Sequence, residues 1–296
     1  MDIVDKAILR LQTASQMSLD VYGLPLIITE SGGKDSAVLV DLALKAKIPM
    51  EIQHSHTTAD APETVRLVRA KFKRLEADGY KVGINYPTYK GKPVSMWSLI
   101  PQKMMPPTRL ARYCCQILKE HGGQRRMIAT GVRWDESNAR KSQRGIYETQ
   151  GKKRGDYIIL NGDNDDRRQL FENCQLKAKR VANPIIDWTT RDIWAYINAE
   201  RLEVNPLYSC GFPRVGCIGC PMARRKGRFR DFARYPKYEQ MYRHAFDRLV
   251  IARKAAGKGD AGTAWDTGEK VFRWWMEDPT IEGQMSLFLT EEEATI

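Results

Sequence analysis

The sequence predicts an α/β fold, a doubly wound and mostly parallel sheet with a helical C-terminal extension, and three observations carry that reading. First, the apolar run Leu26-Ile27-Ile28 leads into Ser31-Gly32-Gly33-Lys34-Asp35-Ser36 and then Ala37-Val38-Leu39-Val40-Asp41-Leu42-Ala43-Leu44, the order of strand, glycine turn and helix. Second, Ile48-Pro49-Met50-Glu51-Ile52 and Met127-Ile128-Ala129-Thr130-Gly131-Val132-Arg133 read as further buried strands. Third, residues 231–276 read as helical, with Tyr238, Met241, Tyr242, Ala245, Phe246, Leu249 and Val250 spaced to share one apolar face. A chain of 296 residues buries a substantial core. We divide it into an α/β domain over 1–225, cysteines included, and a helical extension and tail over 226–296.

The first turn is the most specific of these elements. Two adjacent glycines let the backbone turn sharply and present N–H groups to an anion, and the following helix adds its positive dipole end, so phosphate is the natural guest. No glycine followed by a four-residue spacer precedes Gly33-Lys34, which excludes the triphosphate loop G-x-x-x-x-G-K-[ST]; G-x-G-x-x-G is absent too.

Lysine and arginine number 48 against 36 aspartates and glutamates, a net charge of +12 that favours a polyanionic partner such as nucleic acid. No apolar run approaches the roughly twenty residues that span a membrane, so no membrane association is expected. The start Met1-Asp2-Ile3-Val4-Asp5-Lys6 lacks the pattern of a secretion signal, and a cytoplasmic, reducing location is expected. There the six cysteines point to metal or redox chemistry. Cys217-Ile218-Gly219-Cys220-Pro221 lets two thiolates reach one metal centre, and both an iron–sulfur cluster and structural zinc suit such donors.

The hexapeptide matches S-G-G-x-D-S, the signature of the PP-loop superfamily, whose members cleave ATP between the α- and β-phosphates or bind an adenylated sulfate. Five further segments follow in order. Thr57-Thr58-Ala59-Asp60-Ala61-Pro62-Glu63-Thr64 resembles the segment that opens a helix beside the nucleotide, and Arg112-Tyr113-Cys114-Cys115 the one with the first cluster ligands. Gly131, Arg133, Glu136, Ser137 and Arg140 resemble the region where nucleotide and substrate meet. Asn183-Pro184-Ile185-Ile186-Asp187-Trp188, with Thr190 as the expected helix cap, and then Asn205-Pro206-Leu207-Tyr208 through Cys220 complete the set. Together they resemble the phosphoadenosine-phosphosulfate reductase family of PP-loop proteins, in the broad sense, with the adenine-nucleotide α-hydrolase type of sheet.

That resemblance implies the following site. Ser31, Gly32, Gly33 and Ser36 give N–H and hydroxyl donors, Lys34 charge, and Asp35 a hold on the loop or a metal; Thr58, Asp60, Gly131, Arg133, Glu136 and Arg140 complete the nucleotide site. Lys34, Asp35 and Arg133 are the expected catalytic residues, with ATP or adenylated sulfate bound and Mg2+ as helper. A [4Fe-4S] cluster is implied on four of Cys114, Cys115, Cys210, Cys217 and Cys220, zinc being the alternative. Cys114 and Cys115 with the C-x-x-C pair give the reductase-like set. Cys210, seven residues before Cys217, permits a set that resembles the sulfur-transfer ATPases of DNA phosphorothioation.

Reductases of this family carry their attacking thiol in a C-terminal tail, and residues 221–296 contain no cysteine. Cys174, in a basic segment, is the other thiol weighed for that role and is expected to be unreactive. The favoured reading is therefore ATP-dependent activation of a nucleic acid followed by sulfur delivery, with a cysteine desulfurase or thiol carrier as donor. A reductase using an external thiol is the alternative, and a nucleotide- or DNA-binding accessory of a mobile-element or defence system is the second. Met222-Ala223-Arg224-Arg225-Lys226-Gly227-Arg228-Phe229-Arg230 offers five basic residues and an aromatic to a phosphate backbone and a base. Gln284 to Phe288 resembles the sliding-clamp pentapeptide Q-[LM]-S-L-F, with Gln284, Leu287 and Phe288 as contacts. His54 and His56 share a strand face but lack a third ligand nearby in that pattern, which favours a structural role.

Overall fold

The structure, a computed structural model, describes residues 2–119, 125–150, 158–161, 179–258, 263 and 265–277. Cys174, His121 and the Gln284–Phe288 pentapeptide of the sequence reading lie outside those residues. The described chain falls into two compact units, residues 1–93 with 115–216, and residues 94–114 with 217–296.

In the first unit the helix α1 (Ile3–Tyr22) is capped by Asp2, whose carboxylate accepts from the Ile3 N–H, and ends at Gly23 in the left-handed region. The central strand β1 (Leu26–Thr29) lies parallel to β2 (Met50–Ser55) on one side and β6 (Met127–Ala129) on the other, with Ile28 in register with Ile52 and Ala129. Beyond β2 lies β3 (Lys81–Asn85), and beyond β6 lies β9 (Lys179–Ala182), both parallel to their neighbours. Two antiparallel strands, β7 (Tyr147–Gln150) and β8 (Ile158–Leu160), finish the seven-stranded order β3-β2-β1-β6-β9-β7-β8. A small hairpin pairs β4 (Thr88–Tyr89) with β5 (Lys92–Pro93).

The chain thus winds outward from β1 through β2 to β3, then returns to place β6 on the opposite flank. That reversal between β1 and β6 leaves a crevice at the carboxyl ends of the strands, where sheets of this kind take ligands. Helices α2 (Lys34–Ala46), α3 (Pro62–Ala77) and α7 (Thr190–Ala199) follow β1, β2 and β9. Leu26, Ile28, Leu39, Ile52, Met127, Ala129 and Trp188 are fully buried among them. Short helices α5 (Tyr113–Leu118) and α6 (Asn138–Gln143) lie between β5 and β7, α5 running across the boundary of the units in sequence. The cap of α7 is Thr189, whose hydroxyl accepts from Asp192 N–H, so the expected Thr190 cap is displaced by one residue. Thr190 is instead the first helical residue, and its hydroxyl donates to Asp135 at 2.7 Å.

The second unit gathers α4 (Met96–Lys103), α8 (Arg224–Arg234), α9 (Pro236–Ala255) and α10 (Gly268–Glu277). Its core is aromatic: Trp97 meets Tyr242 edge-on at 4.8 Å, and Tyr242, Phe246 and Phe272 surround Trp275. The expected boundary at 225/226 falls inside this unit, which resumes at residue 217, and residues 94–114 are held in it by backbone acceptors. Arg248 and Arg253 donate to the Trp97 and Met104 carbonyls, and the Trp275 indole donates to Pro107 O at 2.7 Å. The helical stretch expected over 231–276 is likewise divided: α8 ends before Pro236, which starts α9 at a position where its missing N–H costs nothing. Tyr242, Ala245, Phe246, Leu249 and Val250 form the buried face of α9 as expected, whereas Met241 is exposed. No helix among the described residues is long and apolar enough to cross a membrane.

Candidate nucleotide site

The turn after β1 is fixed from beneath by a carboxylate. Glu30 is 3% exposed; its Oε1 accepts from the Gly32 N–H at 2.7 Å and from the Ser36 hydroxyl at 2.6 Å, and its Oε2 pairs with Lys71 of α3. Burial alone would raise this carboxyl, but the charge and hydrogen bond of Lys71, with those of Ser36 and Gly32, hold it below the ordinary glutamate value. The Ser31 N–H is likewise taken within the loop, donating to Ser36 Oγ at 3.1 Å. Ser31 and Gly32 therefore direct their N–H groups inward in this structure, contrary to the expectation that they face a ligand. Gly33 caps α2 without a side chain, so the helix start stays accessible from the cavity.

Other segments close on the loop from far along the chain. Asn205 donates from Nδ2 to the Gly32 carbonyl at 3.2 Å and to Thr64 Oγ1 at 2.9 Å. The Tyr208 hydroxyl accepts from the Lys34 N–H at 2.9 Å, occupying a position that a ligand oxygen would also suit. Burial and the nearby Asp35 charge push the Tyr208 phenol up to about 12 despite the Lys34 hydrogen bond, so it is neutral across the working range. Tyr208→Phe is expected to cost about 0.5–1.5 kcal/mol in urea unfolding, the worth of one neutral hydrogen bond. Gly131 brings β6 so close that a Cβ there would lie 3.0 Å from the Asp35 backbone carbonyl.

Asp35 joins the two expected catalytic cations. Its Oδ2 lies 3.0 Å from Lys34 Nζ and its Oδ1 accepts from Arg133 Nε at 2.7 Å. Arg133 is 1% exposed and also donates to the Trp188 carbonyl, to Thr190 Oγ1 and to Asp135. It acts as a positioning residue, fixing Asp35 and the start of α7. Arg140 of α6 pairs with Glu136, four residues back in the short turn before that helix. These groups, with Ser31, Gly33, Ser36, Asp60, Gly131 and Arg214, line a cavity of about 1000 Å³ at the crevice between β1 and β6. Gly32 and Thr58 do not line it. Thr58 lies in the turn ahead of α3 with φ 63, a left-handed conformation that a β-branched residue rarely adopts.

The cysteines divide between the units. Cys115 and Cys210 belong to the first, Cys210 being exposed; Cys114, Cys217 and Cys220 belong to the second. Within the second unit the buried Tyr242 senses all three thiols: burial raises its phenol and the charges of Cys217, Cys220 and Cys114 raise it further. Its hydroxyl donates to the Ile218 carbonyl inside the C-x-x-C turn at 3.0 Å. Gly219 takes φ 68 there, and a Cβ would come within 2.6 Å of the Phe232 ring. The two thiols of the C-x-x-C turn, with a glycine between them that a side chain would crowd, suit a thiolate-bound metal centre. Arg228 leaves the expected basic surface, because it is 1% exposed with its guanidinium over the Trp275 ring.

Sequence reasoning missed Glu30 and Lys71 and placed Asn205 only in the segment leading to the later cysteines, although a charged residue directly after an apolar strand and before the loop was a signal for Glu30. With this geometry in view, comparison with known proteins is informative. An uncharacterised protein of Methanocaldococcus jannaschii is 25% identical over 263 residues, covering 89% of this chain and 54% of that protein. The chain spans about half the length of the archaeal relatives it matches, 54% and 46% of two of them. The adenosine 5'-phosphosulfate reductase of Staphylococcus saprophyticus is 25% identical over 213 residues, 69% of this chain and 74% of that enzyme. Among solved structures, the phosphoadenylyl-sulfate reductase of Candida auris aligns at a TM-score of 0.43 with 19% identity, over 70% of this chain and 87% of that one. The family model of the phosphoadenosine phosphosulfate reductase domain matches residues 25–223, from β1 through the C-x-x-C turn, and the chain belongs to that family.

Proposed function

We propose that the chain binds ATP in the crevice between β1 and β6 and uses it to adenylate an oxygen of a nucleic acid, after which a sulfur nucleophile displaces that oxygen with AMP as the leaving group. The observation that carries this reading is the mixed charge of the cavity. Lys34, Arg133, Arg140 and Arg214 are accompanied by Asp35, Asp60, Asp135 and Glu136. Four carboxylates beside a phosphate site suit a polyphosphate that arrives with a divalent cation, Mg2+ in the usual case, better than a bare anion. The start of α2 and Lys34 hold the phosphates while Arg133 keeps Asp35 in place. An acceptor oxygen attacks the α-phosphorus, the bond to the bridging oxygen of the β-phosphate breaks, and pyrophosphate leaves with the electron pair.

Cys114, Cys217 and Cys220 would supply donors to an iron–sulfur cluster, which supplies a sulfur-seeking iron when bound. Arg224, Arg225 and Lys226 on α8 are exposed beside Phe229, itself 49% exposed, and form the proposed nucleic-acid contact. A cysteine desulfurase or thiol carrier is the proposed sulfur donor. The relatives named adenosine 5'-phosphosulfate reductase favour a second reading, in which adenylated sulfate occupies the same cavity and an external thiol reduces it.

The test is made on the full chain purified anaerobically. Pyrophosphate release from ATP that rises with tRNA or DNA supports the first reading; sulfite release from adenylated sulfate with a thiol supports the second. Lys34→Ala is expected to weaken nucleotide binding about 10- to 150-fold, the worth of a charged hydrogen bond of about 1.5–3 kcal/mol. Unchanged affinity in that variant would remove the cavity from the mechanism.

A further inference from the structure

Among the described residues, one group of histidine, cysteine, aspartate or glutamate side chains brings three ligand atoms within 4.8 Å of one another: His54, His56 and Asp60. Strand alternation at the end of β2 puts the two imidazoles on one face, and the turn toward α3 returns Asp60 to them. The third donor absent from the strand pattern is thus supplied by the fold.

Two of the three donors are oriented from behind. His54 is 4% exposed, and its Nδ1 lies 2.8 Å from the Glu30 backbone carbonyl. A carbonyl only accepts, so Nδ1 carries the proton and Nε2 keeps its lone pair, the arrangement in which metal-binding imidazoles are held. Asp60 is 8% exposed, and its Oδ2 accepts from the Thr57 N–H at 2.7 Å. The same oxygen lies 3.4 Å from His56 Nδ1, too long for a good hydrogen bond.

We infer that His54, His56 and Asp60 form a binding site for a divalent first-row transition cation beside the phosphate loop. Two nitrogens and one carboxylate oxygen suit Mn2+, Fe2+, Co2+ or Zn2+; Mg2+ prefers an all-oxygen shell. Three protein donors leave coordination positions open. A cavity of about 430 Å³, lined by His54 and Asp60 together with Ser31, Asn85 and Thr130, gives room for water or a ligand oxygen there. Asp60 also lines the larger cavity, so the cation would sit at its edge. The site is distinct from the cysteines in donor chemistry, and it stands whichever nucleotide the crevice takes.

The probe is Mn2+ added to the full chain under anaerobic conditions and followed by electron paramagnetic resonance, since this ion avoids thiolates. The expected result is one bound Mn2+ per chain, displaced by Zn2+ as the stability order requires, with echo modulation from imidazole nitrogen in the bound signal. His56→Gln and Asp60→Asn should each weaken binding at least 100-fold, whereas Cys217→Ser should leave it within threefold. No stoichiometric Mn2+, or bound Mn2+ without nitrogen modulation, overturns the site. The modulation is read on the unmodified protein, so a variant that fails to fold leaves the inference falsifiable. Equal affinity in folded His56→Gln overturns it as well.

Discussion

Glu30→Ala is expected to destabilise the first unit by about 3–5 kcal/mol and to abolish nucleotide binding, the effect of removing one partner from a buried charge pair. The carboxylate is 3% exposed and serves Gly32, Ser36 and Lys71 together. Without it the Lys71 ammonium, largely covered, loses its counter-charge and the Gly32 N–H loses its acceptor, so the loop cannot keep its shape. Urea unfolding of both proteins gives the comparison, and a loss below about 1 kcal/mol would mean that the loop stands by other contacts. Glu30→Gln should cost less, because an amide oxygen can still accept while only the charge is lost. The pH dependence has a definite sign. Glu30 has a lowered value in the folded state, so its contribution is fully present above the unfolded glutamate value of about 4.3 and is lost as pH falls through the folded value. The gap between wild type and Glu30→Ala should therefore be widest near neutrality and narrow only well into acid.

Elements whose cause is local were legible in the sequence. The run from Leu26 to Leu44 encodes strand, turn and helix within nineteen positions, and β1, Gly33 and α2 follow it. What was hidden depends on partners far away. Lys71 reaches Glu30 across 41 positions and Asn205 reaches Gly32 across 173, and no spacing rule links such residues. Arg228 read as one basic residue among five, yet helical geometry turns it inward to the Trp275 carbonyl while its neighbours stay outside. The interleaving of residues 94–114 with the C-terminal helices was equally out of reach, because it rests on indole and guanidinium donors meeting backbone carbonyls. Thr189 and Thr190 are chemically alike as caps; only the position of Asp192, three residues on, selects the first.

Gly32→Ala should be nearly as damaging as loss of Glu30, for two separable reasons. The backbone there takes φ 75, which costs a residue with a Cβ about 1–2 kcal/mol. A Cβ would in addition lie 2.5 Å from Thr64 Cγ2, inside any tolerable contact, and Thr64 cannot retreat because its hydroxyl is engaged with Asn205. Overpacking of this kind adds about 1–3 kcal/mol, giving a total of about 2–5 kcal/mol. Thr64→Ser deletes the offending methyl and keeps the hydroxyl, so the double variant Gly32→Ala with Thr64→Ser should recover the packing part and retain the backbone part. A double-mutant cycle read by urea unfolding should give a coupling of about 1–3 kcal/mol in the favourable direction. If the two changes simply add, the methyl is not what demands glycine. Nucleotide affinity supplies the second readout: the double variant, with its backbone strain unrelieved but its loop once more seated on Asn205 and the hydroxyl kept at position 64, should bind more tightly than Gly32→Ala alone.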